Sequence, residues 1–304
     1  MYEVEPEWIW WNGAVVPWRQ ARVHVGSETA LRGLNVFEGV RGYWNDDHRR
    51  WAVVRLDDHL RRLVTSAQLM RIPVRAGLYE RMRGAVVALL DRAQPSADVY
   101  LRPTIYVDAG RYRAADDELT VGEFIACHRA DPTDPSPIRC MISQWRRVPD
   151  AALPTAAKTG AAYSAFRLAR LQALDAGADE AILLGTHGGV TETPGASVFA
   201  VLHGSLVTAP LTDGLLDSIT RATVIELAHK FGIPFYEQSL TAVDLLAAQE
   251  VFLAGTLDEV RAVREIDGCT IPVGPITTRL RDAYLAMCRG AEDSLFTRFV
   301  QVLP

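Results

Sequence analysis

The chain is poor in lysine. Lysine and arginine together number 32, yet only Lys158 and Lys230 are lysine. Arginine stays protonated and cannot form an imine, whereas a lysine amine can lose its proton and condense with an aldehyde. Cysteine is scarce as well: Cys127, Cys140, Cys269 and Cys288 stand far apart with no CxxC pair. That spacing argues against a zinc site or a disulfide framework and predicts buried thiols in a reducing compartment. No apolar run approaches membrane-spanning length, and the aromatic, acidic first residues lack a basic leader. The expected location is the cytoplasm. A net charge of -5 and a pI of about 5.8 leave no basic excess for nucleic acid or an acidic membrane. The motifs GxxxxGK[ST], HExxH, GxSxG and a GxGxxG after a strand are all missing, which weakens NTPase, zinc hydrolase, serine hydrolase and dinucleotide readings.

What is present is a globular composition, 49% apolar and 23% charged over 304 residues, long enough for two domains. Ala130 to Pro137 holds three prolines and reads as a linker. The expected division is a small N-terminal α+β domain over 1–129, a linker over 130–137 and a second domain over 138–304. Asn12-Gly13 between apolar runs predicts a hairpin. Asp57 is read as the cap of a helix with Leu60, Leu63, Val64 and Ala67 on one face; a second helix carries Leu78, Met82, Ala85, Val86 and Leu89. Val99 to Val107 alternates, and its polar row of Tyr100, Arg102, Thr104 and Tyr106 reads as a solvated face or as an anion-binding wall. Further on, a helix is expected over Gly160 to Ala176, then short strands including Gly189 to Thr193, then a helix from Ile219 to Phe231 capped at Asp217-Ser218.

Four features suit a phosphorylated pyridine aldehyde. Lys158 lies among small residues in Pro154-Thr-Ala-Ala-Lys158-Thr-Gly160, where an imine has room; codon bias is the bland alternative. Lys230, beside Phe231-Gly232, reads as a structural cation at a helix end. Glu192 is either a surface acid in a turn or a carboxylate that keeps a pyridine nitrogen protonated. Leu216 to Arg221 is either a plain helix start or a phosphate seat. Gly255-Thr256 after a strand is a plain turn or a set of anion-binding N–H groups.

In order, these features resemble the fold-type IV, or class IV, aminotransferases that use pyridoxal 5′-phosphate, and among them the branched-chain amino acid group. The resemblance rests on Trp10-Trp11-Asn12-Gly13, Val36-Phe37-Glu38-Gly39-Val40-Arg41, His59-Leu60-Arg61-Arg62-Leu63, Tyr100-Leu101-Arg102-Pro103, Pro154 to Lys158, Gly189-Val190-Thr191-Glu192, Ile219-Thr220-Arg221 and Ala254-Gly255-Thr256. It implies a two-domain α+β fold similar to D-amino acid aminotransferase and a homodimer. Lys158 would carry the cofactor imine and shuttle the proton. Tyr163 would bond the phenolic oxygen, and Glu192 the pyridinium. Arg62, Ile219, Thr220 and Thr256 would bind phosphate. Tyr100 and the Thr256-Leu257 turn would take the substrate carboxylate, Phe37 and Arg41 would line the pocket, and Arg102 would meet the distal carboxylate of glutamate.

The chain departs from the family pattern around the substrate. Arg32 stands where a tyrosine is usual, Ser197 where an asparagine is usual, and His128 to Pro137 lacks an aromatic loop. The expected activity is transamination between an amino acid and a 2-oxo acid, with L-branched-chain donors and 2-oxoglutarate first. The alternatives are altered specificity, for a secondary metabolite or an amine, and a non-catalytic protein of the same fold. Arg32 has three expected placements: in the pocket, which the missing loop favours, on a local acid such as Glu28 or Glu38, or in solvent.

Overall fold

The buried side chains Leu56, Leu60, Leu63 and Ala67 recur at helical spacing, and they form one face of a helix over Leu56–Leu69. The computed structural model describes residues 5–109, 115, 118–290 and 300–303. They fold as two compact units: the first takes Met1–Pro132, Ala157–Ala161 and Met287–Pro304, the second Thr133–Ala156 and Ala162–Ala286. The chain therefore returns to the first unit for the five residues around Lys158.

In the first unit β1 (Trp8–Trp11) and β2 (Ala14–Pro17) form the hairpin around Asn12-Gly13, both at positive φ. Next come α1 (Glu28–Arg32), β3 (Asn35–Phe37), β4 (Val40–Asn45), β5 (Arg50–Val54), α2 (Leu56–Leu69), α3 (Leu78–Ala93), β6 (Val99–Ala109) and β7 (Thr120–Arg129). A terminal strand, Val300–Leu303, pairs antiparallel with β5. The sheet order is that strand, β5, β4, β6, β7, β1, β2, with β3 also on β6. Leu60 and Leu63 of α2, Met82 and Leu89 of α3, and Val99, Leu101, Ile105 and Val107 of β6 share one apolar core.

Two expectations need correction here. Asp57 is not the α2 cap. Leu56 is fully buried and starts the helix, Arg55 holds the cap position in the left-handed region, and the Leu56 N–H donates to Gln301 Oε1 at 2.9 Å. Asp57 and Asp58 occupy the first turn instead, where the helix dipole favours them. The polar row of β6 is not a solvated face either. Tyr100, Thr104 and Tyr106 are buried, and the Tyr106 ring packs between Trp11 and Phe124 at centroid distances of 5.3 and 5.9 Å.

The second unit starts with β8 (Ile138–Arg146), followed by α4 (Tyr163–Asp175), β9 (Glu180–Leu184), β10 (Ser197–Leu202) and β11 (Ser205–Thr208). It continues through α5 (Ile219–Lys230), β12 (Phe235–Glu237), α6 (Ala242–Leu246), β13 (Glu250–Gly255), β14 (Glu259–Ile266), β15 (Cys269–Thr270) and α7 (Pro275–Cys288). The strand order is β12, β11, β10, β13, β14, β8, β9, with β15 on β14. Residues 160–162 make a 3₁₀ turn, so the expected helix from Gly160 is α-helical only from Tyr163. Gly189 to Thr193 is not a strand; it makes single bridges at Val190 and Glu192. Lys230 ends α5, where a cation suits the dipole. Three cysteines are buried, and burial pushes the Cys127 thiol up to about 12; Cys269 is exposed, against the expectation for all four. No helix among the described residues is long and apolar enough to cross a membrane.

Gly122 of β7 faces Tyr106 in register, and a Cβ there would land on the Tyr106 ring. The ring is enclosed by Trp11 and Phe124 and has little room to yield. Gly122→Ala is expected to lower stability by roughly 1–3 kcal/mol through overpacking. Denaturant unfolding checks this, and an unchanged midpoint would show that the ring moves aside without penalty.

Candidate active site

In the first unit, the backbone of Lys158 is fixed from two sides. Its carbonyl accepts from the Phe37 N–H of β3 at 3.0 Å, and its own N–H donates to Ser66 Oγ of α2 at 3.0 Å. Thr159 continues the contact, bridging Val36 and donating from Oγ1 to the Asn35 carbonyl at 2.8 Å. Gly160 follows because a Cβ there would sit 2.6 Å from the Asn35 side chain. The side chain of Lys158 lies over an aromatic wall, with Nζ 5.3 Å from the centroid of the buried Phe37 ring. The Arg102 guanidinium stacks on the same ring at 3.8 Å.

Glu38 follows Phe37 at the end of β3, and its side chain is fully enclosed. Arg62 of α2 donates from Nε to Oε1 and from Nη2 to Oε2, both at 2.7 Å. One turn earlier, His59 Nδ1 lies 2.7 Å from Oε2. Burial alone would push the Glu38 carboxyl up; the Arg62 charge and the hydrogen bonds from Arg62 and His59 reverse this and hold it well below the usual carboxylate range. Burial lowers the His59 pKa, and the nearby Arg62 and Lys158 charges oppose its protonation further, against the pull of Glu38. Gly39 is needed next, since a Cβ would strike the Tyr100 hydroxyl.

Tyr100 and Arg41 are register partners on β6 and β4. Arg41 is buried, with Nη2 donating to the Asp131 carbonyl at 2.8 Å and lying 3.9 Å from Asp98. Arg32 takes the second of its three expected placements. Its Nη1 donates to both oxygens of Glu28, at 2.8 and 2.7 Å, one turn back along α1, and the side chain is half exposed. An i,i+4 pair is the nearest neutralising contact that a helix offers.

The second unit gathers the remaining candidates. Glu192 is buried; its Oε1 accepts from Arg147 Nε and its Oε2 from the Leu216 N–H at 3.2 Å. The Arg147 guanidinium lies over the Phe166 ring at 5.0 Å, and Phe166 meets Tyr163 edge-on at 5.1 Å. Leu216 leads into α5, where Ser218 caps the helix by accepting from the Arg221 N–H at 3.2 Å. Ile219 and Thr220 thus sit in the first turn, whose N–H groups have no partner within the helix. Thr256 and Leu257 form the turn between β13 and β14, with the Leu257 carbonyl accepting from Thr133 Oγ1 at 3.3 Å. Gly255 lets this turn approach the Thr193 to Ala196 turn, since a Cβ would lie 2.6 Å from the Gly195 carbonyl oxygen. Thr193 Oγ1 shapes that second turn, accepting from the Ala196 N–H at 2.9 Å. Ser197 is buried beside it, and its Oγ has no hydrogen-bond partner among the described residues.

Each unit holds groups of the kind that pyridoxal phosphate requires: the first an amine that can condense with an aldehyde, the second a buried carboxylate for a ring nitrogen and a capped helix start for a phosphate. Arg147 and Ser66 contact two of the candidate residues, Glu192 and Lys158, and sequence reasoning missed both. Each joins its partner across long sequence separation, and the only local hint is that Ser66 lies one turn after Arg62 on the same face of α2.

Residues 35–266 match the family model described as amino-transferase class IV. The chain belongs to the class IV aminotransferases, and it has their fold and their pyridoxal phosphate-dependent transaminase activity. It is similar to the branched-chain-amino-acid aminotransferase of Salmonella typhimurium, 35% identical over 94% of both chains, and to that of Escherichia coli K12 at 34% and the same coverage. Among solved structures, the branched-chain aminotransferase of Thermoproteus uzoniensis with norvaline superposes with a TM-score of 0.93 at 34% identity, covering 97% of this chain and 98% of that one. The holo, pyridoxal phosphate form of the Thermobaculum terrenum enzyme gives 0.91 at 32% identity over 99% of both chains.

The Glu38 cluster has a pH signature. His59 and Glu38 both have lowered folded pKa values, so the unfolded chain binds more protons than the folded one. Stability from His59 is lost as pH falls below its unfolded value of about 6.5, and stability from Glu38 below its unfolded value of roughly 4.3. The melting temperature is expected to drop between pH 7 and 5, with a shallower drop in His59→Gln. A thermal-shift series checks this; identical slopes would remove His59 as a contributor.

Proposed function

We propose that this enzyme moves the amino group of an L-branched-chain amino acid to a 2-oxo acid such as 2-oxoglutarate, working as a homodimer in the cytoplasm. The observation that carries the reading is Lys158, one of two lysines in the chain, with its backbone pinned on both sides and its amine over Phe37. The names of the relatives support the substrate class. So does Arg32: with its charge met by Glu28, it need not seek an acid in the substrate pocket.

Bound pyridoxal phosphate would supply an aldehyde carbon that can take an amine and a ring that can accept electrons. Lys158 would hold the cofactor, and its amine would take the proton from the donor Cα. Glu192, oriented by Arg147 and the Leu216 N–H, keeps the ring nitrogen protonated. Tyr163 bonds the phenolic oxygen. Ile219 and Thr220 at the start of α5, with Arg62 and Thr256, bind the phosphate. Tyr100 and the Thr256-Leu257 turn orient the substrate α-carboxylate, and Phe37 and Arg41 line the side-chain pocket. Arg102, stacked on Phe37, takes the distal carboxylate of an acidic acceptor.

Lys158→Ala is expected to lose both the near-visible absorbance of the lysine-bound cofactor and transamination, while Lys230→Ala keeps both. Glu192→Gln should bind cofactor yet slow single-turnover proton removal by roughly 100-fold or more. Wild-type turnover in Lys158→Ala would end the proposed role for that lysine. A donor panel of valine, leucine and isoleucine against polar and acidic amino acids, run on wild type and Arg32→Tyr, tests the substrate class. Efficient branched-chain donors and little change in the mutant are expected; a preference for acidic donors that the mutant loses would move Arg32 into the pocket.

A further inference from the structure

We infer that Glu38 is a positioning residue for cofactor binding, acting through Arg62; the inference rests on the reading of Arg62 as a phosphate contact. Glu38 is itself fixed, because its N–H donates to the Pro103 carbonyl of β6 at 2.8 Å. Its carboxylate meets Arg62 by two parallel bonds of 2.7 Å, through Nε and Nη2. Such a fork holds the guanidinium in the plane of the carboxylate and fixes its orientation. The Arg62 side chain keeps 13% of its surface while Glu38 keeps none, so the arginine is the partner that can still reach a ligand.

Stability alone does not account for this arrangement. A buried ion pair gains little over apolar residues of the same volume, because both charges must leave water. Here the carboxylate is surrounded by a third polar group as well: His59, one turn from Arg62 on α2, occupies Oε2 from the other side. Burial and the Arg62 and Lys158 charges keep that imidazole neutral, so it braces the carboxylate without competing for its charge. The result is a cation of set orientation on the same helix whose Ser66 pins Lys158. Without Glu38, Arg62 would remain charged but could sample many rotamers, and the entropy of fixing it would fall on cofactor binding.

The test is a cofactor dissociation constant, measured by titrating apoenzyme with pyridoxal phosphate and following the near-visible absorbance, together with unfolding midpoints. Glu38→Gln is expected to weaken binding about 10-fold, the scale of one lost charge-assisted contact, with a smaller change in turnover at saturating cofactor. Arg62→Met should weaken it at least as much. In the double variant Glu38→Gln/Arg62→Met, binding should stay within about threefold of Arg62→Met alone, as coupled sites do, while the unfolding midpoint recovers because no buried charge is left unpaired. Arg62→Lys keeps the cation and leaves Glu38 in place but cannot make the fork, so it should lose affinity like Glu38→Gln; this variant also covers the case in which Glu38→Gln does not fold. Wild-type affinity in Glu38→Gln or Arg62→Lys, or additive losses in the double variant, would overturn the positioning role. Wild-type affinity in Arg62→Met would instead overturn the phosphate reading of Arg62.

Discussion

Two hydrogen bonds fix the backbone of Lys158, the residue on which the proposed chemistry rests. The Phe37 N–H and the Ser66 hydroxyl hold the main chain of Lys158, one from a strand and one from a helix. A lysine side chain has four rotatable bonds and would otherwise spread its amine over a wide volume. Fixing the backbone at both N–H and carbonyl leaves only those side-chain bonds to be ordered, and the Phe37 ring limits them further. Gly160 matters for the same reason, because a Cβ there would meet the Asn35 side chain of β3.

A second constraint is electrostatic. The chain buries several carboxylates, and those of the candidate site meet guanidinium groups: Glu38 with Arg62 and Glu192 with Arg147. Arginine suits this task better than lysine, since its planar fork can satisfy two carboxylate oxygens and is less costly to desolvate. The scarcity of lysine and the use of buried Arg–Glu pairs are therefore compatible features of one composition. Of the two lysines, Lys230 ends α5, where a cation suits the helix dipole, and Lys158 is the one proposed to lose a proton. Arg32 and Glu28 repeat the pairing at the surface, where it has the weaker value of an exposed helix pair.

The parts of the fold with local periodicity were legible in the sequence. Helices α2 and α3, the β1–β2 hairpin and the apolar face of β6 follow from spacing alone. The polar face of β6 was not, because alternation defines two faces without saying what covers the second one. Tyr106 needed Trp11 and Phe124 to become an interior residue, and Arg102 is half-buried with its guanidinium over Phe37. The expected strand at Gly189 to Thr193 failed for a related reason: its residues have strand-like composition, but they make single bridges around a tight turn. At the site, Lys158 and Glu192 stood out by residue type and neighbours. Arg147, in an arginine-rich chain, had nothing local to distinguish it, and its significance comes from a partner 45 residues away.

The return of residues 157–161 and 287–304 to the first unit has a consequence for how this chain acquires its structure. During synthesis β5 emerges long before its partner strand Val300–Leu303, and Phe37 long before the Lys158 carbonyl it bonds. The first unit therefore cannot complete its sheet until the whole of the second unit has been made, although its lysine segment emerges earlier, before residues 162–286. Its contacts are long in sequence, which slows closure and exposes an unpaired sheet edge in the interval. The second unit has a shorter wait, since its residues lie within 133–286. A fragment ending near residue 286 would then hold a complete second unit beside an N-terminal segment with an open strand edge, the kind of surface that chaperones and neighbouring chains compete to cover.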